Sequence, residues 1–230
     1  MNFVTFQKFL NRFHVSSSPK LLIMKKKNFG FTLLILLVIT GLAGTVYLNP
    51  LSKKEKKVAI DHLKLTRDEL IQSVKGLSEN QLNFKPFAEE WSVNECVQHL
   101  ALTENLFRKS MDEMLEKAPN PEKRSDIKIS DQDILAKMAS REMKVKTFPS
   151  LTPENSTWSN TKEALDEIKQ KRKSLMQFIK TTETDMRSHI SESPMGMVDA
   201  YQIVLMNAAH TTRHTQQINE VKNHPQFPKE

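Results

Sequence analysis

The sequence predicts an all-α protein, an antiparallel four-helix bundle preceded by an N-terminal transmembrane helix. Four long segments carry apolar residues at steps of three and four, the spacing of one buried helix face. Only 5 of the 230 residues are glycine, and Met, Leu, Lys and Glu are plentiful, which favours helices over strands. An apolar run near the start is long enough to cross a bilayer.

The apolar run covers residues 29–48, which contain no charged side chain and have lysines on both sides. About 20 apolar residues span a bilayer core roughly 30 Å thick, so we expect a retained membrane anchor. A signal peptide cleaved at Gly41-Leu42-Ala43 is the alternative. The denser basic cluster before the run predicts a single-pass membrane protein whose domain lies outside the cytoplasm.

Four parts are expected along the chain. Residues 1–28 form a basic segment in which Met24, followed by three lysines, is typical of a true start. The anchor or signal segment (29–48) and a basic linker (49–57) follow, and residues 58–230 form the bundle. Ten of the 34 Lys and Arg residues lie in residues 1–57 against one acidic residue, so the bundle is close to neutral. Nucleic-acid binding, which requires a basic stripe on the folded domain, is therefore not expected.

The first two bundle helices have clear boundaries in the sequence. Apolar residues recur through 59–77, and Gly76 marks the end of the first helix. Ser92 and Glu95 have the spacing of a capping box, which opens the second helix. We expect that helix to run to about Lys117, before a pair of prolines.

Three further helical patterns follow, at residues 130–145, 164–179 and 200–223. The first of these is weak and highly charged. Ser159 or Asn160 caps the second, and a loop containing Pro194 and Gly196 leads to the third. Loops of moderate length between four long segments favour an antiparallel bundle.

Two histidines, His210 and His214, lie one helical turn apart in the last segment. Residues four apart share one face of a helix, so both imidazoles can bind one metal ion from the same side. His99, beside the apolar stripe of the second helix, is the candidate third ligand, because bundles place metal ligands on inward helix faces. Three protein ligands and an open position are typical of catalytic zinc. The alternative is a packing role for each histidine, with the spacing arising by chance.

Several other residues are candidates for supporting roles. Asn207 and Gln217 could line the pocket or hold ligand N–H groups, or they could be solvated helix residues. Glu95 is either a general base or only a helix cap. Cys96, the single cysteine, excludes an internal disulfide, and a small buried hydrophobic role is commoner for it than a nucleophilic one. Trp91 is expected to pack the loop that enters the second helix.

Two common metal motifs are absent. The zinc-protease pattern H-E-x-x-H fails because Thr211 follows His210. Di-iron carboxylate bundles need Glu-x-x-His pairs, whereas this chain has Glu95 four residues before His99. Neither chemistry is therefore expected.

Two stretches of the chain resemble a known family. They are GLSENQL (76–82), FKP (84–86) and WSVNECVQHL (91–100) in the first half, and AHTTRHTQQINEVK (209–222) with HPQFP (224–228) at the end. These resemble the first half and the last helix of DinB-like (DinB/YfiT superfamily) bundles, over roughly residues 55–228. The resemblance implies that His99, His210 and His214 bind one divalent transition metal (Zn, Ni, Fe or Mn).

The resemblance also implies a class of reaction. The family includes transferases and isomerases that use low-molecular-weight thiols such as bacillithiol or mycothiol, and many members have no assigned reaction. We therefore expect a metal-dependent enzyme that activates a thiol or water against a small-molecule substrate, of the thiol S-transferase or hydrolase type. A non-catalytic, membrane-tethered metal-binding or sensing domain is the alternative. The anchor departs from the usual soluble form of the family, and a homodimer is left open.

Overall fold

The computed structural model describes residues 49–142 and 146–229. The basic segment 1–28, the start at Met24 and the anchor or signal segment 29–48 all lie outside the described residues. Within the described residues, no helix is both long and apolar enough to span a bilayer.

The described chain is mostly helical. Its helices are α1 (Lys53–Val74), α2 (Glu79–Asn83), α3 (Val93–Leu115), α4 (Asp131–Ala139), α5 (Thr161–Thr181) and α6 (Ala200–Lys222). Short 3-10 turns occupy Pro121–Asp126, Pro149–Leu151, Pro153–Asn155 and Met186–Ser188. The prediction that the protein is all-α missed one antiparallel hairpin, β1 (Ile190–Ser193) and β2 (Gly196–Asp199). Four residues per strand are too few to show a clear alternating pattern in the sequence.

Helix boundaries follow the local signals closely. The Ser92 hydroxyl accepts a hydrogen bond from the backbone N–H of Glu95, and the Glu95 carboxylate accepts one from the backbone N–H of Ser92, so the predicted capping box opens α3. Asn160, rather than Ser159, caps α5. Gly76 follows the end of α1 with φ of 76°, a left-handed conformation that favours glycine.

The bundle consists of α1, α3, α5 and α6, with α1 and α3 each packed against both α5 and α6. Tyr201 donates to the carbonyl of Glu55 (3.0 Å) near the starts of α6 and α1. Lys222 donates to the carbonyl of Ser73 (2.7 Å) near their ends. Helices α1 and α6 are therefore parallel neighbours, and the prediction of an antiparallel bundle is wrong for this pair.

The pair α3 and α5 is also parallel. Thr161 donates to Asn94 (2.7 Å) at the starts of the two helices, and the Arg108 guanidinium lies 5.3 Å from the Phe178 ring centroid nearer their ends. The helices thus run up, down, down and up in chain order. The antiparallel prediction assumed loops of moderate length, whereas the connection between α3 and α5 includes α4, which packs along α6. This connection returns the chain to the end of the bundle at which α3 begins.

A buried polar layer crosses the middle of the bundle. The Arg172 guanidinium, with no exposed surface, donates to Glu104 on α3, which is 2% exposed. It also donates to Thr66 on α1 (3.3 Å) and to Asn207 (3.1 Å) and Thr211 (2.6 Å) on α6. One side chain therefore joins all four bundle helices and separates the apolar core into two clusters.

Candidate metal centre

The three predicted histidines meet where α3 and α6 cross. His99 lies in the second turn of α3, while His210 is near the middle of α6 and His214 one turn later. The Nε2 atom of His210 is 3.4 Å from that of His99 and 3.2 Å from that of His214. Because α3 and α6 are antiparallel, an early position on one helix faces a late position on the other. Candidate ligand atoms from all three rings lie within 4.8 Å of one another.

The outer ring nitrogens of two of these histidines have oxygen partners. His99 Nδ1 lies 2.8 Å from the carbonyl oxygen of Leu151, and His214 Nδ1 lies 2.9 Å from Oε1 of Gln217. These oxygens can only accept, so each Nδ1 carries the proton and each Nε2 keeps a free lone pair. Of the alternatives predicted for Gln217, the structure shows the one in which its side chain accepts from an imidazole N–H, that of His214.

His210 has a weaker partner of the same kind. Its Nδ1 lies 3.4 Å from the hydroxyl oxygen of Thr103. Thr103 donates its own proton to the carbonyl of Leu100 (3.0 Å), which leaves its oxygen free to accept from His210. Metal-binding histidines characteristically donate their other N–H in this way, because the bond fixes the tautomer and the ring orientation.

Asn207, the other predicted supporting residue, does not hold a histidine. Its side-chain amide donates to Glu104 (2.9 Å) and accepts from Arg172 (3.1 Å) in the buried polar layer. Asn207 is 2% exposed, so it matches neither the predicted contact with a histidine nor the alternative of a solvated side chain. Only the three-dimensional packing shows which partner it meets.

The surroundings of the three imidazoles favour their neutral form. His99 is 2% exposed and His214 is 6% exposed. Loss of hydration lowers the pKa of His99, and it lowers the pKa values of His210 and His214 well below the ordinary value, with neighbouring cationic groups adding to the effect. Neutral imidazoles are the form that binds zinc, iron and nickel. The donor set therefore fits one divalent transition metal ion.

Aromatic rings enclose the histidines. The Trp91 ring lies 4.8 Å from His99 and stacks at 6.0 Å on His214, measured between ring centroids. Phe107 lies 5.6 Å from His210. Trp91 was expected to pack the entry loop, but it also covers two of the three rings, a contact that no local pattern indicates. These apolar walls reduce contact between the centre and bulk water.

The other candidate groups have structural roles. Glu95 accepts from the backbone N–H of Ser92 (2.8 Å) with one carboxylate oxygen and pairs with Lys85 (2.7 Å) through the other, so helix capping and an ion pair account for both oxygens. Cys96 has no exposed surface, and burial raises the pKa of its thiol. It is therefore a buried apolar residue in this fold, as the commoner use of a lone cysteine suggests.

Comparisons with known proteins agree with the resemblance. The family model of the DinB superfamily matches residues 62–218. The uncharacterized protein YuaE of Bacillus subtilis (strain 168) is 28% identical over 158 residues, covering 68% of this chain and 92% of YuaE.

A solved structure shares the architecture. YfiT from Bacillus subtilis, described as a probable metal-dependent hydrolase with an unusual four-helix bundle topology, is similar with a TM-score of 0.52 at 18% identity. The similarity covers 76% of this chain and 89% of YfiT, and at this identity it concerns the fold alone. Because the family model spans more than half of the chain, this protein belongs to the DinB superfamily.

Proposed function

We propose that this protein is a metal-dependent enzyme that binds one divalent transition metal ion through Nε2 of His99, His210 and His214. The observation that carries the proposal is the convergence of three Nε2 atoms while every Nδ1 faces an oxygen acceptor. When bound, such an ion supplies the Lewis acidity that lowers the pKa of a thiol or a water molecule. The description of YfiT as a probable metal-dependent hydrolase supports the same class of chemistry here.

The protein's own residues would orient the ligands and limit access of water. Leu151, Thr103 and Gln217 fix the three rings from behind, so that little rearrangement is needed when the ion binds. Trp91 and Phe107 supply apolar surface against the rings. Water access to the cluster is thereby reduced on the sides that these two rings cover.

No carboxylate joins the histidine cluster among the described residues. Glu95 caps α3, and Glu104 is bound to Arg172 in the buried layer. The described residues therefore offer no dedicated side-chain base at the cluster, and a divalent cation held by the three histidines would supply the acidity for a thiol or water instead. The same observation favours the second candidate, a metal-binding or sensing domain without turnover.

A turnover assay distinguishes the metal-dependent enzyme from the metal-binding or sensing domain. The metal-loaded protein would be screened against monochlorobimane with several small thiols, and against simple esters and amides. His214→Ala should abolish metal-dependent turnover with the fold intact, whereas Glu95→Gln should retain most of it because glutamine can still cap the helix. If no substrate gives metal-dependent turnover, the non-catalytic function becomes the better one.

We also propose that residues 29–48 tether the domain to a membrane, with the domain outside the cytoplasm. The proposal is supported by the charge-free apolar run and the lysines on both sides of it. In that location the thiol or substrate would have to come from outside the cytoplasm.

A further inference from the structure

Gln217 can hold His214 correctly in only one of its two amide orientations. With Oε1 toward the ring, as the structure has it, the amide accepts the proton of His214 Nδ1 at 2.9 Å and leaves Nε2 free for a metal. A half-turn of the amide would present its NH₂ group instead. Nδ1 would then have to accept, and the ring proton would move to Nε2, which blocks metal binding.

Arg141, on the connection that follows α4, approaches the same oxygen. Its Nη1 donates to Oε1 of Gln217 at 3.3 Å. Its Nη2 and Nε donate to the two carboxylate oxygens of Glu220, at 2.6 and 3.2 Å. This two-point contact fixes the plane of the guanidinium. A guanidinium has donors and no acceptor, so it favours the amide orientation that turns the oxygen of Gln217 toward it.

We propose that Arg141 is a positioning residue of the metal centre. By fixing the Gln217 amide, it selects the Nδ1–H tautomer of His214 and keeps Nε2 available to the ion. This inference deepens the proposed function and rests on it for the metal, although the tautomer is a property of the metal-free protein. If Arg141 only anchored the connection to Glu220 on α6, its removal would not change the tautomer of His214.

The test uses the full-length chain in detergent micelles. In metal-free protein labelled with ¹⁵N-histidine, the His214 signals, assigned by comparison with His214→Ala, should show protonated Nδ1. Arg141→Met should give a mixture of tautomers at His214. Zinc affinity, measured by competition with a chelating dye, should fall roughly 10- to 100-fold, the usual effect of losing a group that orients a metal ligand.

A second substitution separates positioning from support of the fold. In the Arg141→Met background, Gln217→Glu offers His214 a carboxylate, which has no donor to turn inward. It should restore the single tautomer and bring zinc affinity back to within a few-fold of the original. Arg108→Met is the matched control, because it removes another arginine–carboxylate pair, that of Arg108 with Asp112 on α3, and should change neither measurement.

The outcomes distinguish the two proposals. Unchanged tautomer and zinc affinity in Arg141→Met, or failure of Gln217→Glu to restore either, would overturn the positioning role. If the unmodified protein binds no zinc but the tautomer changes as expected, the metal-dependent function fails and the positioning of His214 stands.

Discussion

Replacing the buried Arg172 tests how much the buried polar layer contributes to the stability of the bundle. Arg172→Met keeps most of the side-chain volume but leaves Glu104, which is 2% exposed, without its cation. Asn207, Thr66 and Thr211 lose a donor at the same time. Breaking a buried ion pair from one side costs about 3–5 kcal/mol. The free energy of unfolding of a typical domain is about 5–15 kcal/mol, so the variant should lose a large share of its stability.

The measurement is urea unfolding of the full-length chain in mild detergent, followed by fluorescence of its two tryptophans. Lys171→Met is the matched control, because its neighbouring pair with Glu167 (3.4 Å) has side chains 41% and 25% exposed. That change should cost less than about 1 kcal/mol. The double variant Arg172→Met with Glu104→Leu should lose less stability than the sum of the two single variants, because neither Arg172 nor Glu104 is left as an unpaired buried charge. A loss below about 1 kcal/mol for Arg172→Met, or strict additivity, would refute this reasoning.

Three further outcomes are expected. His99→Ala and His210→Ala should each lose most bound metal by elemental analysis, and full occupancy in both would remove the site from consideration. The metal-free protein should lose stability as the pH falls below about 6.5. The pKa values of His99, His210 and His214 are lowered in the folded protein, so the unfolded chain binds more protons in this range. The slope is up to about 1.4 kcal/mol per pH unit for each histidine, measured by urea unfolding at several pH values, and a slope unchanged in His214→Asn would contradict the assignment. Residues 29–48 should keep the protein in membranes after a carbonate wash, and recovery of a shortened soluble protein would indicate a cleaved signal.

Local features of the fold could be predicted from the sequence. The capping box at Ser92 and the glycine stop at Gly76 depend on residues within one turn of each other, so the signals are complete in the sequence. The three histidines could be named because two of them share a helical turn and the third lies in a motif typical of the family. The contact of Gln217 with His214 could also be predicted, because Gln217 follows His214 by three residues on the same helix.

The features that depend on distant pairing could not be predicted. Arg172 and Glu104 lie within amphipathic helices whose other charged residues face solvent, and nothing local marks them as buried. The carbonyl of Leu151 holds His99 through a backbone atom, which any residue could supply. The parallel pairing of α1 with α6 is fixed by how the whole chain packs, whereas loop length alone favoured an antiparallel arrangement.

The long connection between α3 and α5 links topology to chemistry. It allows α3 and α5 to run in the same direction, and α3 and α6 to run in opposite directions, which brings His99 to the later part of α6. The same connection carries Leu151, which orients His99, and Arg141, which contacts the amide beside His214. Leu151 contacts Nδ1 of His99 directly, whereas Arg141 acts on Nδ1 of His214 through the amide oxygen of Gln217. If the proposed metal site is right, changes in this connection should alter metal affinity while His99, His210 and His214 stay in place.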